Sequence, residues 1–195
     1  MRFLSPASPQ HGNFGGCPAQ PDVLRPADAK ETTEAWALAM ANTATPTALI
    51  LSRQNIKDLP EGNAYAEAAK GAYIVAGSDS NPDVILVASG SEVSTLVAGA
   101  ELLRKEGVKC SIVSVPSEGL FRSQSAEYQA SILPAGVKKF GLTAGLPVNL
   151  QGLVPAHEGK VWGLESFGFS APYTVLDEKL GFTAENVYNQ VKAML

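Results

Sequence analysis

Ser52-Arg53-Gln54 stands at the end of a short apolar run, Thr47–Leu51. An arginine in that place could grip a phosphate, because the guanidinium is planar, always charged and able to bond two phosphate oxygens at once. The carboxyl ends of strands in parallel sheets are also where ligands gather. Taken by itself, Arg53 reads more simply as a surface arginine paired with a carboxylate. A second group, Ser89-Gly90-Ser91-Glu92, follows the apolar run Val84–Ala88 and opens a helical pattern. Strand, small-residue turn and helix start make a potential anion site. The G-x-G-x-x-G pattern and the Walker lysine are both missing, so a small-ligand site here is the least favoured reading. Gly90 and Ser91 are expected to make the tight turn and cap the helix. His157 lies in Pro155-Ala156-His157-Glu158-Gly159 with no serine or cysteine nucleophile context, and reads as a solvated loop residue. His11 belongs to an unpatterned N-terminal stretch and is given no catalytic role. Cys17 and Cys110 match no metal spacing, and Cys110, inside an apolar run, reads as a small buried residue.

The elements that must hold these residues alternate along the chain. Met1 to Asp22 is rich in Pro, Gly and Ser and is expected to be a disordered or irregular tail. Asp28 with Glu31 has the spacing of a capping box and predicts a helix over Ala29–Ala41. Thr47–Leu51 reads as a buried strand, and 55–70 as a linker punctuated by Pro60 and Gly62. Further strands are expected at Ala72–Val75, Val84–Ala88, Lys109–Val115, Val137–Leu142 and Lys160–Leu164. A turn is expected at Ser78–Pro82. Val93, Leu96, Val97, Ala100 and Leu103 mark one helix face, closed by Gly107. Other helices are expected at Ser125–Ile132, Ala171–Leu180 and Ala184–Leu195, with a glycine-rich loop around Leu146–His157. Trp36 and Trp162 are expected to pack in a core or at a contact. Strands alternating with helices predict a mostly parallel sheet covered on both faces.

The chain has 195 residues, 45% hydrophobic and 17% charged, which suits a globular protein with a real core. A net charge of −4 excludes an electrostatic footprint for nucleic acid. The apolar runs are too short to span a membrane and none makes a secretory signal, so a cytoplasmic location is expected.

Several ordered segments carry a resemblance. Leu24-Arg25-Pro26-Ala27-Asp28-Ala29 with Glu31 and Trp36, then Pro46-Thr47-Ala48-Leu49-Ile50-Leu51-Ser52-Arg53-Gln54, are similar to segments of the transketolases. Ala88-Ser89-Gly90-Ser91-Glu92-Val93, Ser114-Val115-Pro116-Ser117, Phe167-Gly168-Phe169-Ser170-Ala171-Pro172 and Gly181-Phe182-Thr183-Ala184-Glu185-Asn186-Val187 continue the match in the family's order. The resemblance runs from about Leu24 to Leu195. It implies the end of a pyrimidine-binding domain over 23–70. Over 71–195 it implies the family's third domain, a three-layer α/β/α sandwich on a five-stranded, mostly parallel sheet with one antiparallel edge strand.

The same resemblance implies the activity of the complete enzyme: transfer of a two-carbon ketol unit between sugar phosphates, with thiamine diphosphate and a divalent metal (Mg or Ca). It makes Arg53 the ligand of the substrate's terminal phosphate, with Ser52 and Gln54 beside it. It carries no catalytic, cofactor or metal residue onto this chain, because the matching segments would precede Leu24. The chain is therefore expected to bind no cofactor alone and to be inactive alone, as part of a truncated, frame-shifted or trimmed enzyme. The alternative is a free-standing interaction or regulatory module, pairing with itself as a homodimer or with a full-length enzyme. At Thr143-Ala144-Gly145 the chain departs from the family, which carries an acidic residue there. A role for that acid in contacts across a dimer does not carry over.

Overall fold

The computed structural model describes residues 22–60, 65–77 and 81–195. The expected tail, with His11 and Cys17, lies outside the described residues except for Asp22, as does part of the turn expected at Ser78–Pro82.

The centre is Val84–Ala88 (β4), whose residues are all buried. An unbroken apolar run suits a strand covered on both faces. Cys110–Ser114 (β5) and Lys138–Leu142 (β6) flank β4 in parallel. Gly159–Trp162 (β7) extends the sheet in parallel beside β6, and Tyr73–Ala76 (β3) closes the other edge antiparallel to β5. The strand order is β3-β5-β4-β6-β7, the expected five-stranded sheet with one antiparallel edge.

Period-two alternation sends β4 side chains to opposite faces. On one face Val84, Leu86 and Ala88 meet Val93, Leu96, Ala100 and Leu103 of Glu92–Lys105 (α2) and Val187 and Val191 of Ala184–Lys192 (α7). The helices approach closely at Gly99, where an added Cβ would lie 2.6 Å from a Val187 methyl. On the other face Ile85 and Val87 meet Phe121 of Glu118–Arg122 (α3), Ile132 of Ala126–Ile132 (α4) and Leu150 of Val148–Gln151 (α5). Each such side chain, fully buried, contributes about 1.5–3 kcal/mol. The result is a three-layer α/β/α sandwich. Tyr173–Leu180 (α6) ends at Gly181, whose φ of +77° is the left-handed turn glycine takes without strain. The Asn186 amide then donates to the Thr183 hydroxyl, which caps α7 as expected.

Ahead of this sandwich, Asp22–Leu24 (β1) and Thr47–Leu49 (β2) form a separate parallel pair joined by Ala29–Ala41 (α1). A 3-10 helix, Tyr65–Lys70, leads into β3. Four expectations are corrected here. Asp22 belongs to a strand, not to the tail. β2 is only half-buried, with Ile50 and Leu51 39% and 50% exposed, because β1 is its one strand neighbour among the described residues. Trp36 is in no core: α1 buries only Glu31 and Ala35, and the tryptophan is 53% exposed. Trp162 does pack against the core, donating its indole N–H to the Leu180 carbonyl at 3.1 Å. The capping box is altered as well. Asp28 accepts from the Glu31 amide at 2.8 Å, but Glu31 reaches back to the Ala27 amide at 2.7 Å rather than to Asp28.

Candidate functional site

Arg53 follows β2 on an exposed stretch and lines a surface hollow of about 330 Å³ together with Gln54, Asn55 and Tyr173. No carboxylate among the described residues pairs with its guanidinium. Ser52 is exposed beside it and is not part of the hollow's lining. A lone arginine with two carboxamides and a phenol is a donor-rich set, suited to an acceptor-only group such as a phosphate.

The Ser89–Glu92 turn is built differently. Arg25 enters it and donates through Nη1 to the Ser89 carbonyl at 2.7 Å and to the Ser89 hydroxyl at 3.1 Å. Its Nη2 lies 2.5 Å from Glu92 Oε2, and Glu92 is fully buried. The Gly90 amide donates to the Arg25 carbonyl at 3.1 Å. Gly90 has φ +63°, and a Cβ there would sit 2.9 Å from the guanidinium. The glycine serves both the turn and the close approach, as expected. Ser91, however, makes no cap bond and donates to Glu92 Oε1 at 2.9 Å instead. The turn is thus filled by the protein's own cation.

Residues 71–183 match the family described as the transketolase-like TK C-terminal domain. The chain belongs to this family. Transketolases of Staphylococcus aureus strain MW2 and of Bacillus subtilis strain 168 are each 42% identical to it over 176 and 177 residues, covering 89% of this chain and 26% of theirs. A crystal structure of a Pichia stipitis transketolase in complex with sedoheptulose 7-phosphate superposes with a TM-score of 0.81 at 36% identity, covering 89% of this chain and 25% of that one. The chain thus spans about a quarter of the length of the transketolases it matches.

Within this transketolase C-terminal fold, the first segment is locked to the sheet by buried polar groups that sequence reasoning took only for a helix cap. Asp28 Oδ2 accepts from the Leu59 amide at 3.0 Å and from the Tyr65 hydroxyl at 2.5 Å. Glu31, 1% exposed, accepts from the Tyr73 hydroxyl at 2.7 Å. Burial pushes the Glu31 carboxyl above its usual range, against the hydrogen bonds from Ser114, Tyr73 and Ala27. The Tyr73 hydroxyl is likewise held protonated, by burial first and by the neighbouring Glu31 carboxylate. Lys139 was also missed. It is 2% exposed and donates to Glu158 Oε2 at 2.6 Å and to the Pro134 carbonyl at 2.7 Å. His157 beside it is 80% exposed, the solvated residue expected. Cys110 is buried, also as expected. Thr143 is 6% exposed and accepts from the Gly145 amide at 3.1 Å.

Proposed function

We propose that this chain is the C-terminal portion of a transketolase, an enzyme that moves a two-carbon ketol unit between sugar phosphates. In the complete enzyme Arg53, with Ser52 beside it, binds the substrate's terminal phosphate. The observation that carries the reading is Arg53 itself, exposed in the hollow and paired with no carboxylate among the described residues. We further infer a division into a tail that ends before Asp22, the end of the pyrimidine-binding domain from Asp22 to residue 70 and the C-terminal domain over 71–195, in a cytoplasmic enzyme. Among the described residues no helix is long and apolar enough to cross a membrane.

We infer that thiamine diphosphate and its divalent metal, Mg or Ca, are held in the complete enzyme by parts other than the described residues. Among those described, no group of three or more His, Cys, Asp or Glu side chains is placed to hold a metal ion. No step of the cofactor's chemistry is assigned to this chain. Calorimetric titration with thiamine diphosphate and magnesium should therefore give no measurable heat, and the chain alone should transfer no ketol unit. Tight, metal-dependent binding would overturn that.

The second reading, an interaction module that dimerises or pairs with a full-length enzyme, draws on the exposed apolar side chains. Met40 is 80% exposed and Phe167 83%, and exposed apolar groups mark an interaction surface where they form a contiguous patch. Sedimentation tests it: a dimer would favour pairing, and a monomer at every concentration would weaken it by removing self-association.

A further inference from the structure

We propose that Asp28, Glu31, Tyr65 and Tyr73 form a proton-dependent latch, which holds α1 against the sandwich while Glu31 is neutral and lets go as Glu31 ionises. The proposal does not depend on how Arg53 is read.

The cluster lies where three separate stretches of chain meet. Asp28 and Glu31 stand at the start of α1, Tyr65 on the 3-10 helix and Tyr73 at the start of β3. Asp28, Glu31 and Tyr73 are all buried. The two phenol rings lie with centroids 6.2 Å apart. Each donates its hydroxyl to one carboxyl, Tyr65 to Asp28 and Tyr73 to Glu31. The Ala27 amide also donates to Glu31, and the Leu59 amide to Asp28.

Two buried glutamates in this fold are treated differently. Glu92 has the Arg25 guanidinium 2.5 Å away. Glu31 pairs with no cation among the described residues. On its own helix Asp28 lies three residues back, and the exposed Lys30 sits over the Tyr65 ring, 4.9 Å from its centroid. The 3-10 helix brings Tyr65 and the half-exposed Glu67–Lys70 pair, whose charges meet each other at 2.9 Å. Tyr73 comes from β3 and the Ser114 hydroxyl from β5. β2 carries no ionisable side chain. A buried carboxylate without a counter-ion is costly, and the nearby Asp28 carboxyl adds repulsion. The neutral acid avoids both costs, and the Ser114 hydroxyl beside it can accept its proton.

The direction of the switch follows. Burial first, with Asp28 adding to it, raises the folded pKa of Glu31 above the ordinary 4.5. The latch is therefore closed below 4.5 and loosens as pH rises through the raised value. Tyr73 is pushed up as well, so it remains a donor while Glu31 titrates. Opening is local, because Arg25 keeps its own bonds to the Ser89 and Pro116 carbonyls.

Hydrogen exchange of the isotope-labelled 195-residue chain, followed amide by amide by NMR from roughly pH 5 to 8, tests the latch. Protection of the α1 amides is read relative to that of β4, which removes the effect of pH on exchange chemistry. The ratio should fall by up to about tenfold per pH unit until the raised pKa is passed, then level off. The carbon-13 shift of the Glu31 carboxyl should titrate with its midpoint where the ratio levels off. In Glu31→Gln the ratio should stay constant with pH. Should that variant not fold, the carboxyl shift and the ratio in the unaltered chain still decide. A constant ratio in the unaltered chain, a Glu31→Gln ratio that falls as the parent's does, or a carboxyl midpoint away from the levelling point would each overturn the proposal.

Discussion

Glu31 keeps only 1% of its surface exposed and pairs with no cation among the described residues; the Ala27 amide and the Tyr73 hydroxyl donate to it, with Ser114 beside it. Burial raises its folded pKa above the ordinary 4.5, so the folded chain holds the proton more tightly than the unfolded one. Its stabilising contribution is complete below that ordinary value and is lost as pH rises through the raised one. Glu31→Gln keeps the shape and a carbonyl acceptor but cannot titrate. Thermal scans from roughly pH 4 to 8 should show a flatter fall of Tm on this limb for the variant; an unchanged slope would mean that Glu31 does not titrate there. Glu31→Ala would instead leave two buried donors unpaired, at about 2–4 kcal/mol. None of this was legible in the spacing of Asp28 and Glu31, which signals a cap but not a carboxylate enclosed by a neighbouring strand. Lys139 escaped for a related reason. In Val137-Lys138-Lys139-Phe140 either lysine could face water, and only the carbonyls and Glu158 around Lys139 explain how the inward one is tolerated.

At the scale of elements, Arg25 staples the stretch between β1 and α1 to the β4–α2 turn. Its backbone takes part too: the Arg25 amide donates to the Pro116 carbonyl at 2.8 Å. Removing the guanidinium takes away the cation that lies 2.5 Å from the fully buried Glu92 carboxylate. Arg25→Ala should therefore lower stability by about 3–5 kcal/mol in urea unfolding. In the Glu92→Gln background the same change should cost clearly less, and equal costs in both backgrounds would show that the pair is not coupled. The elements themselves were largely readable. The unbroken run Val84–Ala88 marked the central strand, and the 3.6-residue period marked α2. Gly107 and Gly181 marked helix ends by their left-handed turns. The short helices α3 and α5, of five and four residues, were not seen, because so few residues cannot display a helical period. Tyr173 was not seen beside Arg53 either, since its place in the hollow depends on a chain fold joining positions far apart in sequence.

For the whole molecule, these contacts predict one cooperative unit rather than two. Asp28, the N-cap of α1, and Glu31 within it bond Leu59, Tyr65 and Tyr73 across the junction, and Arg25 bonds the turn beyond β4. Trp36 reports on α1 and Trp162 on the sheet edge, so a tryptophan fluorescence transition should be single and should coincide with far-UV circular dichroism. Two separated transitions would show that the first segment melts independently.

The same bonds change what counts as a seam. Pro60 and Gly62 mark the junction in the sequence, yet the covalent link there is not what keeps the parts together. A chain severed just after Leu59 would leave Asp28 still holding the Leu59 amide on one piece and the Tyr65 hydroxyl on the other. Arg25 would remain in its turn. The nicked halves would stay docked and could be re-formed by mixing. A cut that removed residues 22–31, though shorter, would leave the larger piece with an exposed socket and a buried carboxylate lacking its counter-ion. In this fold the place to divide the protein into complementing fragments is the one that looks like a linker, and the place to avoid is the one that looks like a frayed end.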